Sequence, residues 1–560
     1  MKSLSGLDAT FLYLETPEMP MHVGSFSLCE LPAGFKGSFH KAVVEHIAKR
    51  MHLAPVFSRK LVFMPLDLGH PVWVEAESVD IGFHIRRACL ASGPAEKSVV
   101  SMTLEQAHQV CAQLHGQLID RNFPLWEFYV FDRVKLPDGK IVGAFFSKIH
   151  HAALDGKGAV LLANALLDLT LNPRDVPLPQ PDGKPLRESD LKTGKMIGSV
   201  FSSTWAQLLR AAKSLPTVVA SVSSALASQS SQSANTASGA AGAKLKMPVR
   251  LAPFTPFNVG ISTNRVFVTA TLPLTECKAV SKSLGGSLND IVLWICSTAL
   301  RNYLMQHHSL PKKSLVAAMP VSLRDTAATG QPHLGNQVSM TLVELGTHQA
   351  DPLKRLAVII ASTGKVKTSM QSLKGLLPTD YPSLLAPWLV GGAAKMALTA
   401  FGKLGSSALA SKLPMVANLV ISNVPGAPVP LYLAGAEVLS FHPLSIITHG
   451  LGLNITIQTY AGRVEFGIVA DKQVLLHAAD FAAAIYEAFA QAQTLPAFPG
   501  LHVKAPVAQA IEKAKLTKLS SVKSPPKGDT ASSRSAPKTS VSTHGKPRTK
   551  KIVIRKTTQP

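Results

Sequence analysis

The apolar positions of the chain fall into runs of two spacings. GKIVGAFFSKIHH at 139–151 starts at the Asp138-Gly139 turn dipeptide and then runs apolar, as a buried strand does. HPVWVEAESV at 70–79 alternates in part, in the manner of a strand. Leu104, Ala107, Val110, Leu114 and Leu118 recur every three or four residues, which predicts one face of a helix. Further on, NRVFVTATLPL and NITIQTYAGRVEFGIVA read as strands, and SLNDIVLWICSTALRNYLM as a helix. Strands and helices alternate in both stretches, so the fold class is mixed α/β (α+β).

A chain of 560 residues is too long for one core and predicts at least two domains. The first occupies 1–175. Pro173, Pro177, Pro179, Pro181 and Pro185 then break regular structure, a helical pattern resumes over 189–222, and a Ser/Ala/Gly-rich segment follows. We take 176–253 as the connection, with a helix and a flexible part, and 254–497 as the second domain. Residues 498–560 are rich in Lys, Ser, Thr, Pro and Ala; they bury too little apolar surface to offset the entropy of ordering, so a disordered tail is expected.

Charge sharpens this division. The formal net charge is +23, and from residue 501 onward there are fourteen Lys or Arg against two acids, Glu512 and Asp529. A basic arm of this kind suits an anionic surface, and with no recognition motif in the body a nucleic-acid partner is not expected. The five cysteines are scattered without CxxC spacing, which argues against a disulfide framework or zinc and fits a reducing, cytoplasmic setting. The N-terminus lacks the apolar core of a secretion signal. The most apolar stretch, 384–402, is interrupted by Lys395 and reads as a buried or interfacial helix rather than a membrane span.

The chemistry centres on IHHAALDGKG. Neighbouring side chains on a strand point to opposite faces, so of His150 and His151 one can face a cleft while the other is packed. Asp155 follows at a turn, placed to pair with an arginine or cap the next helix. Gly156 permits a backbone conformation closed to other residues. Histidine titrates nearest neutrality, which suits a general base; with no GxSxG motif and no reactive-looking cysteine, the base is expected to act directly on a substrate proton. Adjacent strand histidines diverge and no third ligand is near, so no metal is expected. Separately, Ser287-Leu-Asn-Asp290 reads as a helix N-cap with an acid at its third position.

HHAALDG resembles the HHxxxDG signature of CoA-dependent acyltransferases of the chloramphenicol-acetyltransferase-like superfamily, which condensation domains share. LSGLDATFLYLETPEMPMHVG at 4–24, IDRNFPLWEFYV at 119–130, SLNDIVLWICSTALRNYL, PVSLRD, LGNQVS and ISNVPGAP narrow it. Over about residues 1–495 the chain resembles bacterial wax ester synthase/acyl-CoA:diacylglycerol acyltransferases.

That resemblance implies two similar chloramphenicol-acetyltransferase-like domains with the site in a tunnel between them. It implies transfer of a fatty acyl group from acyl-CoA, a co-substrate, to diacylglycerol or a long-chain alcohol, with no permanently bound cofactor and no acyl-enzyme. It makes His151 the general base, with His150 supporting or lining the tunnel. Asp155 becomes an orienter, with Arg324 a candidate partner, and Gly156 a conformational requirement. Asn289 is then a donor to the oxyanion or the acceptor, Asp290 a structural residue, and Pro124, Leu125 and Trp126 shapers of the acyl pocket or packing. The expected setting is the surface of a membrane or lipid inclusion. Two rivals stand beside this: a carrier-dependent condensation-type acyltransferase, and a non-catalytic lipid-inclusion protein.

Overall fold

The computed structural model of the chain describes residues 2–63, 70–89, 101–154, 156–178, 187, 252–322, 338–373, 399–400, 402 and 415–497. Asp155, Arg324, nearly all of the expected connection and of the apolar stretch 384–402, and the basic tail lie outside the described residues.

In chain order the first stretch gives β1 (Lys2–Ser3), α1 (Gly6–Leu14), β2 (His22–Glu30), α2 (Phe39–Ala48), β3 (Arg59–Val62), β4 (Val72–Glu75) and α3 (Ile81–His84). It continues with β5 (Ile85–Arg87), β6 (Met102–Thr103), α4 (Leu104–His115), β7 (Trp126–Lys135), β8 (Ile141–His150) and α5 (Gly156–Leu166). The second stretch gives β9 (Arg265–Pro273), α6 (Leu274–Ser283), α7 (Leu288–Gln306), β10 (Val316–Ser322), β11 (Val338–Glu344) and α8 (Pro352–Leu373). It ends with β12 (Leu419–Val424), β13 (Tyr432–Leu433), β14 (Ala436–Leu444), β15 (Leu453–Tyr460), β16 (Arg463–Asp471) and α9 (Ala478–Thr494).

Two large sheets organise these elements. One has six strands in the order β11-β10-β12-β15-β16-β9. The other has seven, in the order β13-β14-β2-β8-β7-β5, with β6 also paired to β7. The hairpin β13–β14 therefore joins a sheet otherwise built from the first 150 residues, with Leu444 opposite Gly24 and Glu437 opposite Glu30. Where β14 passes β16 the backbones nearly touch. A Cβ on Gly467 would overlap the Pro443 carbonyl, so only glycine fits.

Local chemistry accounts for the principal boundaries. Gly139, at φ 88°, turns β7 into β8, and Asp138 accepts the Lys140 N–H at 2.9 Å. Ala461 and Gly462, both at positive φ, make the two-residue turn of the β15–β16 hairpin. α4 starts with a capping box between Thr103 and Gln106. It stops at His115, short of Leu118, which is exposed. Gly116 is its C-cap, where a Cβ would overlap the Thr263 carbonyl.

The six-stranded sheet covers one apolar core with α6, α7 and α9. The seven-stranded sheet has a core on each face. Phe26, Phe131 and Phe146 pack with α4 and with Phe267 and Val469 of the other sheet. Phe128, Phe145 and Ile149 pack with α2 and α5. Among the described residues no helix is long and apolar enough to cross a membrane.

Candidate active site

Strand β8 separates its side chains as a strand must. Phe145 and Ile149 face α5, and Phe146 faces the core that reaches the other sheet. His150 is the last residue of β8 and is fully buried, with its register partner His22 across the pair with β2. His151 opens a 3₁₀ turn, His151–Ala153, and is partly exposed.

His150 is fixed from three sides. Its backbone N–H donates to the Leu125 carbonyl at 3.0 Å. Its Nδ1 accepts the Ala152 N–H at 3.1 Å, and its Nε2 lies 3.3 Å from Oε1 of Glu15. An imidazole nitrogen that accepts carries no proton, so the ring's proton is on Nε2. Glu15 is buried at the C-terminal end of α1. Burial alone would raise its pKa; His150, Arg121 and the Met21 N–H instead bring it down to about 2.

His151 is held differently. Its N–H donates to the Met21 carbonyl at 2.8 Å, and its ring stacks on Phe11 of α1 with centroids 3.9 Å apart. Its Nδ1 is buried and has no hydrogen-bond partner among the described residues. Burial, with the neighbouring His150 adding to it, pushes this imidazole down to about 4. The ring is therefore neutral across the physiological range and free to take a proton.

The same face of β8 also buries Lys148, whose Nζ meets Glu127 at 3.0 Å. Nearby, His22 donates to the His115 carbonyl at 2.7 Å, and His115 to that of Ser445 at 3.1 Å. Burial holds His22 and His115 well below the usual imidazole range. Among the described residues no three His, Cys, Asp or Glu side chains converge as a metal would require.

On the other side of β8 lies an almost wholly apolar cavity of about 320 Å³. Ile149 and Leu154, which flank the histidine turn, line it. So do Ala159, Leu162, Ala163 and Leu166 from one face of α5, and Val424 and Gln458 from the six-stranded sheet. Both sheets thus contribute to its wall. A pair of hydroxyls, Ser25 and Ser147 at 2.9 Å, is set into it.

The remaining residues singled out from sequence are dispersed. Gly156 begins α5. Trp126 is buried in the core, stacked on His84 with centroids 4.2 Å apart and donating to the Phe57 carbonyl. Leu125 packs against Ala152 behind the histidine turn. Pro124 is buried beside them, and none of the three lines this cavity. Asp290 closes the capping box of α7, accepting from the Ser287 N–H at 2.8 Å and hydroxyl at 2.6 Å, and from Thr363 at 2.7 Å. The Asn289 Oδ1 accepts from Asn423 at 3.1 Å. Asn423 precedes Val424 of the cavity wall.

Sequence reasoning missed Glu15, which faces His150, Arg121, which holds Glu15, and the buried Lys148 and His22 nearby. The available signal was an acid closing the apolar run FLYLE and an arginine at the head of RNFPLW.

Comparison with known proteins bears on this geometry. Residues 4–292 match the wax ester synthase/diacylglycerol acyltransferase catalytic domain, and 334–493 match the WS/DGAT C-terminal domain. O-acyltransferase WSD of Acinetobacter baylyi is 30% identical over 483 residues, 85% of this chain and 93% of that one. Mycobacterium tuberculosis has a chain named probable diacylglycerol O-acyltransferase tgs2, 31% identical over 484 residues, 84% of this chain and 94% of that one. The solved wax ester synthase/diacylglycerol acyltransferase of Marinobacter aquaeolei superposes with a TM-score of 0.59 at 26% identity, covering 88% of this chain and 99% of that one.

Proposed function

The chain belongs to the wax ester synthase/diacylglycerol acyltransferase family and is an O-acyltransferase, and from that premise we propose that it moves a fatty acyl group from acyl-CoA to the hydroxyl of diacylglycerol or a long-chain alcohol. His151 is the general base. Its neutral imidazole takes the acceptor hydroxyl proton as that oxygen attacks the thioester carbonyl. The tetrahedral intermediate collapses with loss of the C–S bond, and the imidazolium returns its proton to the departing thiolate. No acyl-enzyme forms.

The observation that carries this reading is a partly exposed, unprotonated histidine in the turn after a strand whose last residue, His150, is locked away; His151 does not itself line the apolar cavity, but Ile149 and Leu154 on either side of it do. The cavity takes the acyl chain; its single polar feature of note on the β8 side is the hydroxyl pair. Asn289, with Oδ1 engaged by Asn423, keeps its amide N–H groups for the oxyanion or the acceptor. Acyl-CoA serves as co-substrate with no permanently bound cofactor, and the enzyme works peripherally on a membrane or lipid inclusion, where its apolar acceptor resides. The basic tail favours such a surface by about 1 kcal/mol for each Lys or Arg brought near anionic lipid.

The test is incubation of purified protein with palmitoyl-CoA and, separately, diacylglycerol or hexadecanol, following ester and free thiol together. Equimolar ester and thiol with either acceptor is the expected outcome. A protein inert toward free acyl-CoA and active only with a carrier-bound acyl group would refute the donor assignment.

A further inference from the structure

We propose that Glu15, gripped by Arg121, is the positioning residue that sets both histidines of the motif in their working geometry. The proposal rests on the reading of His151 as the base, and it concerns how that base is held.

The two carboxylate oxygens of Glu15 have separate partners. Oε2 accepts from Arg121 Nε at 3.0 Å and Nη2 at 2.6 Å, and the same Nη2 donates to the Leu12 carbonyl at 2.8 Å. The guanidinium therefore fixes the carboxylate and the last turn of α1 together. Oε1 is left to accept the Met21 N–H at 3.0 Å and to face His150 Nε2 at 3.3 Å.

From Oε1, two routes lead to the turn that carries the base. Through His150, the Glu15 carboxylate stands 3.3 Å from Nε2 and favours a proton there, outside hydrogen-bond geometry as the ring stands, while Nδ1 is bare and accepts the N–H of Ala152, the second residue of that turn. The opposite tautomer would put two hydrogens between Nδ1 and Ala152 and turn a bare Nε2 lone pair toward the carboxylate. Through Met21, whose N–H Glu15 holds, the carbonyl accepts the His151 N–H at 2.8 Å. α1 also supplies Phe11, on which the His151 ring rests. One helix thus positions the base's ring through Phe11 and its backbone and neighbour through Glu15. The carboxylate is ionised for this task throughout the physiological range.

Glu15 and Arg121 come from the two segments, 4–24 and 119–130, whose resemblance to the family is plain but whose chemistry the histidine motif leaves unexplained. Neither residue lines the cavity. Their action is through His150 and Met21.

Two measurements on the full chain test the proposal. In the first, kcat and KM for acyl-CoA are compared among wild type, Glu15→Gln and Arg121→Lys. Glutamine keeps the shape but presents an amide N–H₂ to either Arg121 or His150, both donors. The expected result is a kcat lower by about 10- to 100-fold in Glu15→Gln with KM within about twofold, the size of a misplaced catalytic group, and a smaller loss in Arg121→Lys. A folded Glu15→Gln protein with wild-type kcat would overturn the proposal.

In the second, ¹⁵N-histidine-labelled wild type is observed by NMR, with the His150 signals assigned by their loss in His150→Asn. The expected state is a proton on Nε2 and none on Nδ1. A proton on Nδ1 would overturn the proposal even if Glu15→Gln failed to fold. The two readings separate cleanly. An active His151→Ala removes the base assignment, whereas an inactive His151→Ala together with a His150 proton on Nδ1 removes only the role of Glu15.

Discussion

Strands β8 and β16 invite comparison. Each is the second strand of a long antiparallel hairpin, each is buried over almost its whole length, and each ends in polar residues at a turn. β16 ends on Asp471. Its Oδ2 accepts from the Ser262 N–H at 2.6 Å and hydroxyl at 2.7 Å, its Oδ1 accepts from the Gln473 N–H at 2.8 Å, and Arg265 stands 3.7 Å away. β8 ends on His150, whose Nδ1 accepts the Ala152 N–H and whose Nε2 lies 3.3 Å from Glu15 Oε1 outside hydrogen-bond geometry, and then delivers His151 with a buried Nδ1 that has no hydrogen-bond partner among the described residues. A polar group with every partner supplied holds a fold together. One left short of a partner costs stability.

The halves should therefore respond differently to mutation. The largest effect is expected on the β8 side, from Glu127→Ala. It leaves Lys148, with no exposed surface, without the carboxylate that meets it at 3.0 Å, and also unpairs Tyr129 and Arg86. A loss of about 3–5 kcal/mol in chemical denaturation is expected, the scale of a broken buried ion pair. A loss below 1 kcal/mol would mean that water reaches this face of β8.

Next is Ala163→Phe, which places a ring in the cavity from the α5 side. Discrimination should shift toward short acyl chains, with kcat/KM for palmitoyl-CoA falling about 10- to 100-fold relative to a short-chain acyl-CoA. An unchanged chain-length profile would place the acyl group elsewhere.

On the other side, Asp290→Ala removes a capping box and its link to Thr363. A cost of about 1–2 kcal/mol in stability is expected, with kcat little changed. A large drop in kcat at full stability would erase the contrast between the halves.

The smallest effect is one of pH. His151 is held at about 4 by burial, below the ordinary 6.5. A base with a depressed pKa stays unprotonated as pH falls through 6.5 and is lost only nearer 4. The acid limb of kcat/KM should accordingly lie well below 6.5, and a limb at 6.5 would show a base in open water.

What was legible in the sequence follows the range of the forces involved. β8, the β15–β16 hairpin, α7 and its capping box are set by neighbours a few residues apart, and the pattern of apolar positions and turn residues announces them. That one of the two adjacent histidines is packed was legible too, because a strand buries the side chains of one face; which of the two was not, and His151 lies past the strand in a 3₁₀ turn. Leu118 escaped because α4 ends at the Gly116 C-cap, two residues before it, and the spacing of apolar positions carries no stop. The β14–β2 pairing joins residues some 400 positions apart, and Glu15 meets Arg121 across 106. Such partners are chosen by the packed sheet and have no local signature. Glu15 could be noticed as an odd acid in an apolar run, but nothing in the run names its partner.

The most direct test of His151 as base is the rate of ester formation by His151→Ala beside wild type, at neutral pH with saturating acyl-CoA and acceptor, on protein shown by thermal unfolding to be folded. Loss of a general base predicts a kcat lower by about 100-fold or more. Ester formation within a few-fold of wild type would contradict it.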